Sequence, residues 1–472
     1  MSSERTAEIM QRYQAGVLTF DEANVLLKDV KKARTEVMDA LDEIESDTPE
    51  SQLIEIMEIF LQENPMYFDT KTKIWWIWNA EAFKWEIGIE QDILRIFLDR
   101  YAFCKWLKPN IKMQLLHSLE VVAKRPPKPL QPQWLQFRNR VINVLNGEER
   151  VPTSEYWYLN PLPWDIGESE DTPTIDRYFC DWVGSDYATL MFQVIAYSLY
   201  RGYPIHRIFF FVGSGRNGKT TFMKLLTKFI TEENRTSTDL ERLKDSRFEA
   251  AKLYNKLVCE IAETSINILY DTARLKAYTG ESYLPGEIKN KNPFEFLSYA
   301  KLFVLTNNLP VTSDTSDGFF RRCLVVEFPN HFEEGYDLIA QIPDAEFCNL
   351  GRKCCRILKE LLETMKFDKE GSIEDRKNKY EEKSNPIKAF LIECYELDIY
   401  SHVKTSEFYD NYKNWAKIKK IYKKLLPRDV KRILTFMGFD VLRTRANIGE
   451  NPIWVINGLS KKETVQGVQG VL

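Results

Sequence analysis

Cysteine and histidine are sparse in ways that exclude several chemistries. The eight cysteines (Cys104, Cys180, Cys259, Cys323, Cys348, Cys354, Cys355 and Cys394) form no C-x-x-C pair, and the four histidines stand far apart. Neither set has the spacing of a zinc site or a disulfide framework. No apolar run approaches the roughly 18 residues needed to span a bilayer, so no membrane partner is expected. Met1 to Ala15 is polar and has no signal-peptide core, which predicts a soluble, reducing, cytoplasmic setting. Charge of one sign is also lacking: the net charge is −4 and the pI near 5.9, so any nucleic-acid contact must come from local basic surfaces. No internal repeat is present. What is abundant is core-forming material, 44% apolar and 13% aromatic residues, enough for two to four globular domains.

Apolar residues at helical spacing over residues 6–44 predict two helices around Gly16, and Ser46 to Pro49 reads as a linker. A helix over 52–62 precedes Met66 to Phe68, Ile74 to Trp78 and Phe83 to Trp85. This aromatic density fits either a base-stacking platform or a sheet core, and the strand-like grouping favours the core. Helices are expected over 91–106 and 111–122. Pro126, Pro127, Pro129 and Pro132 then mark a stiff connector, and helical spacing returns over 175–200.

The stretch Ile208 to Thr220 joins a buried-looking strand to a glycine-rich loop ending in Lys-Thr. Phosphate oxygens need many donors at close range, and Gly213, Gly215 and Gly218 let backbone N–H groups approach while a following helix points its positive end at the charge. Ser214, Arg216, Asn217 and Thr221 complete the candidate cradle, with Lys219 for the β- and γ-phosphates of ATP and Thr220 for Mg²⁺. The same glycines also spell the dinucleotide fingerprint. That reading wants an acidic residue closing a second strand, where Thr231 to Arg235 reads as a polar loop, and it leaves Lys219 and Thr220 without work.

Three later strands discriminate among triphosphate users. Lys256 to Glu263 carries Glu260 and Glu263, whose carboxylates can bind Mg²⁺ through water and polarise an attacking water. The two have opposite parity along a strand, and Glu263, at the expected carboxyl end, is the preferred choice. Lys301 to Thr306 delivers Asn307, whose amide can hold the attacking water; a plain turn before Pro310 is the alternative. Gly318 to Arg322 precedes Cys323 to Phe328, and Arg321 or Arg322 could reach a neighbouring subunit's γ-phosphate. Between these strands lie Leu275 to Glu281 and a lysine-bearing hairpin with Lys289 and Lys291, suited to grip a nucleic-acid backbone.

Residues 401–446 hold twelve Lys or Arg against four Asp or Glu, about +8 inside an acidic protein, which points to an anionic partner. A helix with Phe408, Tyr412 and Trp415 inward, a second over 427–437 with Arg428, Lys431 and Arg432 outward, and a hairpin over 441–456 give a winged-helix order.

This order of elements resembles superfamily 3 helicases, and most closely the helicase half of the phage-and-plasmid primase-helicases related to the poxvirus primase-helicase. The matching segments are G-S-G-R-N-G-K-T, K-A-Y-T-G-E with K-N-K-N-P-F-E-F, A-K-L-F-V-L-T-N-N-L-P and D-G-F-F-R-R-C-L-V-V-E-F-P, within a likeness reaching from about residue 52 to 459. The resemblance implies an α/β AAA+ core with a parallel sheet and an ATP-driven, homo-hexameric DNA helicase using ATP and Mg²⁺. It implies a plasmid or virus gene in a prokaryotic host. It casts Glu263 or Glu260 as the second acidic motif, Asn307 as first sensor, Arg321 or Arg322 as trans finger, and Lys289 or Lys291 as DNA-facing. The implied divisions are a helical segment 1–47, an α+β domain 52–185, the ATPase 186–345, a winged helix 375–459 and a flexible tail 460–472. Longer relatives carry a primase domain upstream, so a primase domain or protein is a possible partner, although priming itself is not expected of these 472 residues. The competing readings are a motor that hydrolyses ATP without separating strands and an initiator that uses ATP only to assemble on DNA.

Overall fold

The computed structural model describes residues 9–10, 13, 19–28, 32, 50–100, 109–245, 247–261, 268–269, 272–280, 282–289, 292–312, 314–333, 337–418, 425–444 and 452–462. Most of the expected helical segment 1–47 lies outside them, as do Glu263, Lys291 and residues 463–472.

Helix α1 (Glu50–Glu63) leads into an antiparallel sheet of β1 (Met66–Asp69), β2 (Ile74–Asn79) and β3 (Lys84–Gly88). Strand alternation sends Trp75 toward α1, α2 (Glu90–Arg100) and α3 (Pro109–Val122), and Trp76 and Trp78 to the opposite face. All three are buried, so the aromatic run is sheet core and offers no stacking platform. A second small sheet of β4 (Trp134–Gln136), β5 (Val141–Asn143) and β6 (Glu149–Arg150) follows the proline connector. The helical stretch expected over 175–200 is two helices, α4 (Pro173–Val183) and α5 (Ser185–Ser198), because Gly184 at φ +85° turns the chain between them.

The central unit runs β7 (Ile208–Val212), α6 (Lys219–Ile230), β8 (Arg235–Thr238), α7 (Leu240–Asp245), α8 (Arg247–Ala251), β9 (Val258–Ile261), β10 (Ile268–Leu269), α9 (Ala273–Tyr278), β11 (Tyr283–Gly286), β12 (Phe294–Leu297), β13 (Lys301–Thr306), β14 (Val311–Thr312), α10 (Asp317–Phe320) and β15 (Cys323–Glu327). Five parallel strands form one sheet in the order β15-β7-β13-β9-β8. Strand β8 starts at Arg235, where the sequence suggested a polar loop; its residues Arg-Thr-Ser-Thr make an edge strand that needs no apolar pattern.

Strands β7 and β13 are buried along their whole length, as expected for a parallel sheet covered on both faces. Phe209, Phe211, Phe303 and Leu324 pack with α4, α5, α6 and α11 (Asp344–Thr364), while Phe210, Val304 and Val325 face α9, α10 and α12 (Ile373–Ser384). At the start of β13 the Lys301 Nζ donates to the carbonyls of Tyr200, Gly202 and Tyr299 at 2.7, 2.9 and 2.8 Å, tying the central strand to the end of α5. The Tyr380 hydroxyl on α12 donates to the Pro310 carbonyl at 2.9 Å. Helix α12, grouped with the tail by sequence, is therefore packed on the sheet.

The last unit comprises α13 (Pro386–Cys394), β16 (Tyr395–Lys404), α14 (Thr405–Ile418), α15 (Pro427–Phe436), β17 (Val441–Thr444) and β18 (Ile453–Lys461), with an antiparallel sheet in the order β16-β18-β17. The two helices and the hairpin match the expected order; β16 is an additional strand pairing across to β18. No helix among the described residues is long and apolar enough to cross a membrane.

Candidate functional site

The sheet's carboxyl edge is where α/β proteins hold ligands, and the glycine-rich loop lies there between β7 and α6. Its path depends on backbone that side chains resist: Gly215 and Gly218 have φ of +94° and +97°, and Arg216 joins them at +50°. Gly218 is also crowded, since a Cβ there would stand 2.6 Å from the indole of Trp182 at the end of α4. At Gly213 a Cβ would collide with the Asn217 side chain, which folds back across the loop. The Asn217 Nδ2 donates to the Phe328 carbonyl at 3.2 Å and so pins the loop to the exit of β15. Its Oδ1 accepts from Lys219 Nζ at 3.0 Å, and Lys219 also donates to the Gly213 carbonyl at 2.6 Å. The ammonium is thus folded over the loop, with two neutral oxygens among its partners.

A cleft of about 710 Å³ opens beside this loop, lined by Gly215 to Thr221, Glu260, Thr306 and Asn307, with Phe332, Leu338 and Ile339 among the apolar residues on its walls. Thr220 is exposed to it. Strand order explains the meeting of distant segments: β13 lies between β7 and β9, so Asn307, just past its end, stands between the loop and the acidic strand. The cleft is large enough for a nucleoside triphosphate, and its donors are of the kind that phosphate oxygens accept. Among the described residues no group of three or more His, Cys, Asp or Glu could hold a metal by itself. Besides Thr220, the cleft carries the carboxylates of Glu260, Glu333 and Asp337 as oxygen donors of the kind a divalent cation takes.

Glu260 is on the cleft but already engaged. Its carboxylate accepts from Arg235 Nε at 3.1 Å and NH2 at 2.6 Å, and Arg235 also pairs with Glu232 at 3.0 Å. Nothing in the sequence pattern signalled this pair, because Arg235 belongs to the polar stretch taken as a loop. Trp182 and Phe332 are further cleft residues without a sequence signal.

The two candidate arginines separate. Arg321 is exposed, whereas Arg322 is buried, with its Nε donating to Thr279 Oγ1 at 3.1 Å and its NH1 to the Gly318 carbonyl at 2.5 Å. Burial, followed by the adjacent Arg321 charge, pushes the Arg322 pKa below its ordinary value. Both bonds of the Arg322 guanidinium are made within its own fold.

Lys289 is exposed on the loop between β11 and β12, an antiparallel hairpin pairing Tyr283 with Leu297 and Gly286 with Phe294. That loop touches the turn between β1 and β2, where Asn292 Nδ2 donates to the Lys71 carbonyl at 2.8 Å, and Ile288 packs on the aromatic cluster. In the tail, Arg428 and Arg432 are exposed on α15. Lys431 is half-buried, its Nζ 3.0 Å from the centroid of the Trp454 ring on β18, so helix and hairpin share one cation–π contact.

The sequence profile of DUF5906, a family of unknown function, matches residues 211–322, from within β7 to Arg322. An Acanthamoeba polyphaga mimivirus protein named "Putative helicase" is 28% identical over 127 residues, 25% of this chain. The match spans 13% of that relative's length. Three solved structures of the NrS-1 C-terminal region, all apo forms, are 15% identical, with TM-scores of 0.45, 0.46 and 0.44, covering 85%, 88% and 86% of this chain and 98%, 100% and 98% of theirs. The chain is thus similar, over a quarter of its length, to a viral protein named as a helicase, and it carries a mixed α/β fold with a parallel five-stranded sheet.

Proposed function

We propose that this chain is the motor of an ATP-dependent DNA helicase of the superfamily 3, AAA+ type, assembled as a homo-hexameric ring and serving the replication of a plasmid or virus. One observation carries the reading: Lys219, Asn307 and the acidic strand β9 share a single cleft at the carboxyl edge of a sheet whose sensor strand stands between the other two. The exposed Arg321, the basic tail helix and the similarity to a viral helicase support it further.

On this reading Gly213 to Gly218 cradle the phosphates, and Lys219 leaves Gly213 and Asn217 to meet the β- and γ-oxygens. Thr220 holds Mg²⁺ with Glu263, Asn307 orients the attacking water, and Glu263 polarises it. Glu260 stays with Arg235 and shapes the strand end. Arg321 completes the neighbouring subunit's site, while Lys289 and Lys291 on the hairpin, with Arg428, Lys431 and Arg432 in a winged-helix domain, contact DNA phosphates. The proposed units are 52–185, 186–345 and 375–459, with α4, α11 and α12 as flanking helices of the ATPase core. A primase domain or protein is a proposed partner.

The test is ATP hydrolysis and unwinding of forked duplex DNA by the full chain, beside Lys219→Ala. DNA-stimulated hydrolysis and strand separation, both lost in the variant, are expected. Brisk hydrolysis with no unwinding of any fork overturns the helicase reading in favour of a non-unwinding motor.

A further inference from the structure

The segment Leu275 to Glu281 stands out in the sequence, and its described residues, 275–280, do not line the cleft; the structure gives Lys276 and Thr279 partners elsewhere. Lys276 Nζ lies 2.9 Å from Asp314 Oδ2, which also accepts the Thr272 hydroxyl, while Asp314 Oδ1 accepts the Ser316 N–H at 2.8 Å. The pair is mostly buried, with side-chain exposures of 32% and 14%, so water screens it less than a surface ion pair. One turn on, Thr279 Oγ1 accepts from Arg322 Nε at 3.1 Å and donates to the Leu275 carbonyl at 2.8 Å. The side chains of the clamp also lie against the opposite glycines at ordinary contact distance: a Cβ on Gly280 would meet Arg322 NH2 at 3.6 Å, and one on Gly318 the Lys276 stem at 3.7 Å. Leu275, Tyr278, Phe319 and Phe320 fill the space between the two contacts in one apolar cluster.

Helix α9 is joined through Lys276 in its last turn and Thr279 just past its end to the short segment that presents Arg321, and it precedes β11 of the lysine hairpin by four residues. We propose that Lys276, Thr279 and Asp314, with Arg322, are positioning residues forming a two-point clamp, so that Arg321 and the base of the 283–297 hairpin move as one body. The proposal rests on the reading of Arg321 as the residue that meets the neighbouring subunit's nucleotide. Two contacts are needed for this work: one would leave a pivot, whereas an ion pair and a hydrogen bond one helical turn apart remove rotation of α9 against the arginine segment. A displacement of Arg321 toward or away from a γ-phosphate would then reach the hairpin without passing through the sheet.

Hydrogen exchange of the full chain, with and without a non-hydrolysable ATP analogue, tests the clamp. In the wild type the analogue should slow exchange both in the 213–221 loop and across 283–297. Lys276→Glu, Asp314→Lys and Thr279→Val should keep the loop protection and lose at least three-quarters of the hairpin response. The conservative Lys276→Arg should retain it, and Arg321→Ala should lose it with the clamp intact. Loop protection also reports that each variant is folded. A hairpin response that survives Lys276→Glu, Asp314→Lys, Thr279→Val or Arg321→Ala, that is absent from the wild type, or that is lost in Lys276→Arg overturns the clamp. The unwinding assay decides the helicase reading separately, because a chain that hydrolyses ATP but never unwinds still has a measurable hairpin response.

Discussion

The carboxylate of Glu260 lies 2.6 Å from the guanidinium of Arg235, across the join between the edge strand β8 and its neighbour β9. The division of work proposed for the two acidic candidates rests on this pairing: both bonds fall on Oε2, which the guanidinium holds in a fixed charge-assisted contact. Glu260→Gln is therefore expected to cost about 1–2 kcal/mol of stability, by loss of charge from a partly buried pair, while hydrolysis falls less than tenfold. Glu263→Gln is expected to stop turnover with nucleotide binding kept. Denaturant titration and single-turnover hydrolysis measure both; the reverse ranking of the two variants would move the catalytic role to Glu260.

Gly218→Ala should disturb the loop without touching a charged group. The backbone there is left-handed at φ +97°, and the added methyl would press on Trp182. A penalty of about 1–3 kcal/mol is expected, partly relieved in Gly218→Ala combined with Trp182→Phe. ATP affinity, measured by titration calorimetry, should fall at least tenfold as the first N–H groups of α6 are displaced.

Arg321 and Arg322 should fail differently. Arg322→Ala abandons Thr279 and the Gly318 carbonyl inside the fold and is expected to cost about 1–3 kcal/mol. Arg321→Ala should leave the melting temperature and ATP affinity unchanged, abolish hydrolysis, and poison mixed rings beyond the mutant fraction. Activity lost only in proportion to mutant subunits would remove the trans role.

Lys289 and Lys291 are expected to act on phosphates rather than bases. Replacing both by alanine should weaken binding to every DNA sequence and reduce the slope of log K against log salt by about 1.5. An unchanged slope would take the hairpin out of the DNA path. In the tail, Arg428→Ala and Arg432→Ala should each lower the slope by just under one, if α15 lies along a backbone.

Asp314 supplies a pH signature. Its desolvation would raise the pKa, but hydrogen bonds from Ser316, Thr272 and Lys276 outweigh that and hold the carboxyl well below the usual carboxylate range. The unfolded chain, with a pKa of about 3.9, then takes up the proton first as pH falls. The stabilisation is complete above roughly pH 5 and disappears as pH falls through the lower folded value. The stability gap between wild type and Asp314→Asn should be constant from pH 8 to about pH 5 and shrink below it in urea titrations. A gap that widens on acidification would contradict the sign of the shift.

The strand, glycine loop and helix around Lys219, the strand ending just before Asn307, and the core nature of Trp75, Trp76 and Trp78 could be read from residue order. Each is written in a short window: apolar runs for strands covered on both faces, glycine where φ must be positive, alternation where a sheet has two packed sides. Those patterns follow from backbone sterics and local burial, which act among neighbours in the chain. Tertiary structure alone decided that β13 stands between β7 and β9, that polar β8 closes the sheet, and that Arg235 takes up Glu260. It alone turned Arg322 inward to Thr279 while Arg321, the next residue, stayed in solvent, and brought Lys431 onto Trp454. These outcomes join segments from about 20 to about 95 positions apart or separate identical side chains one position apart, and they depend on how helices and strands pack around a shared core, which no local pattern encodes.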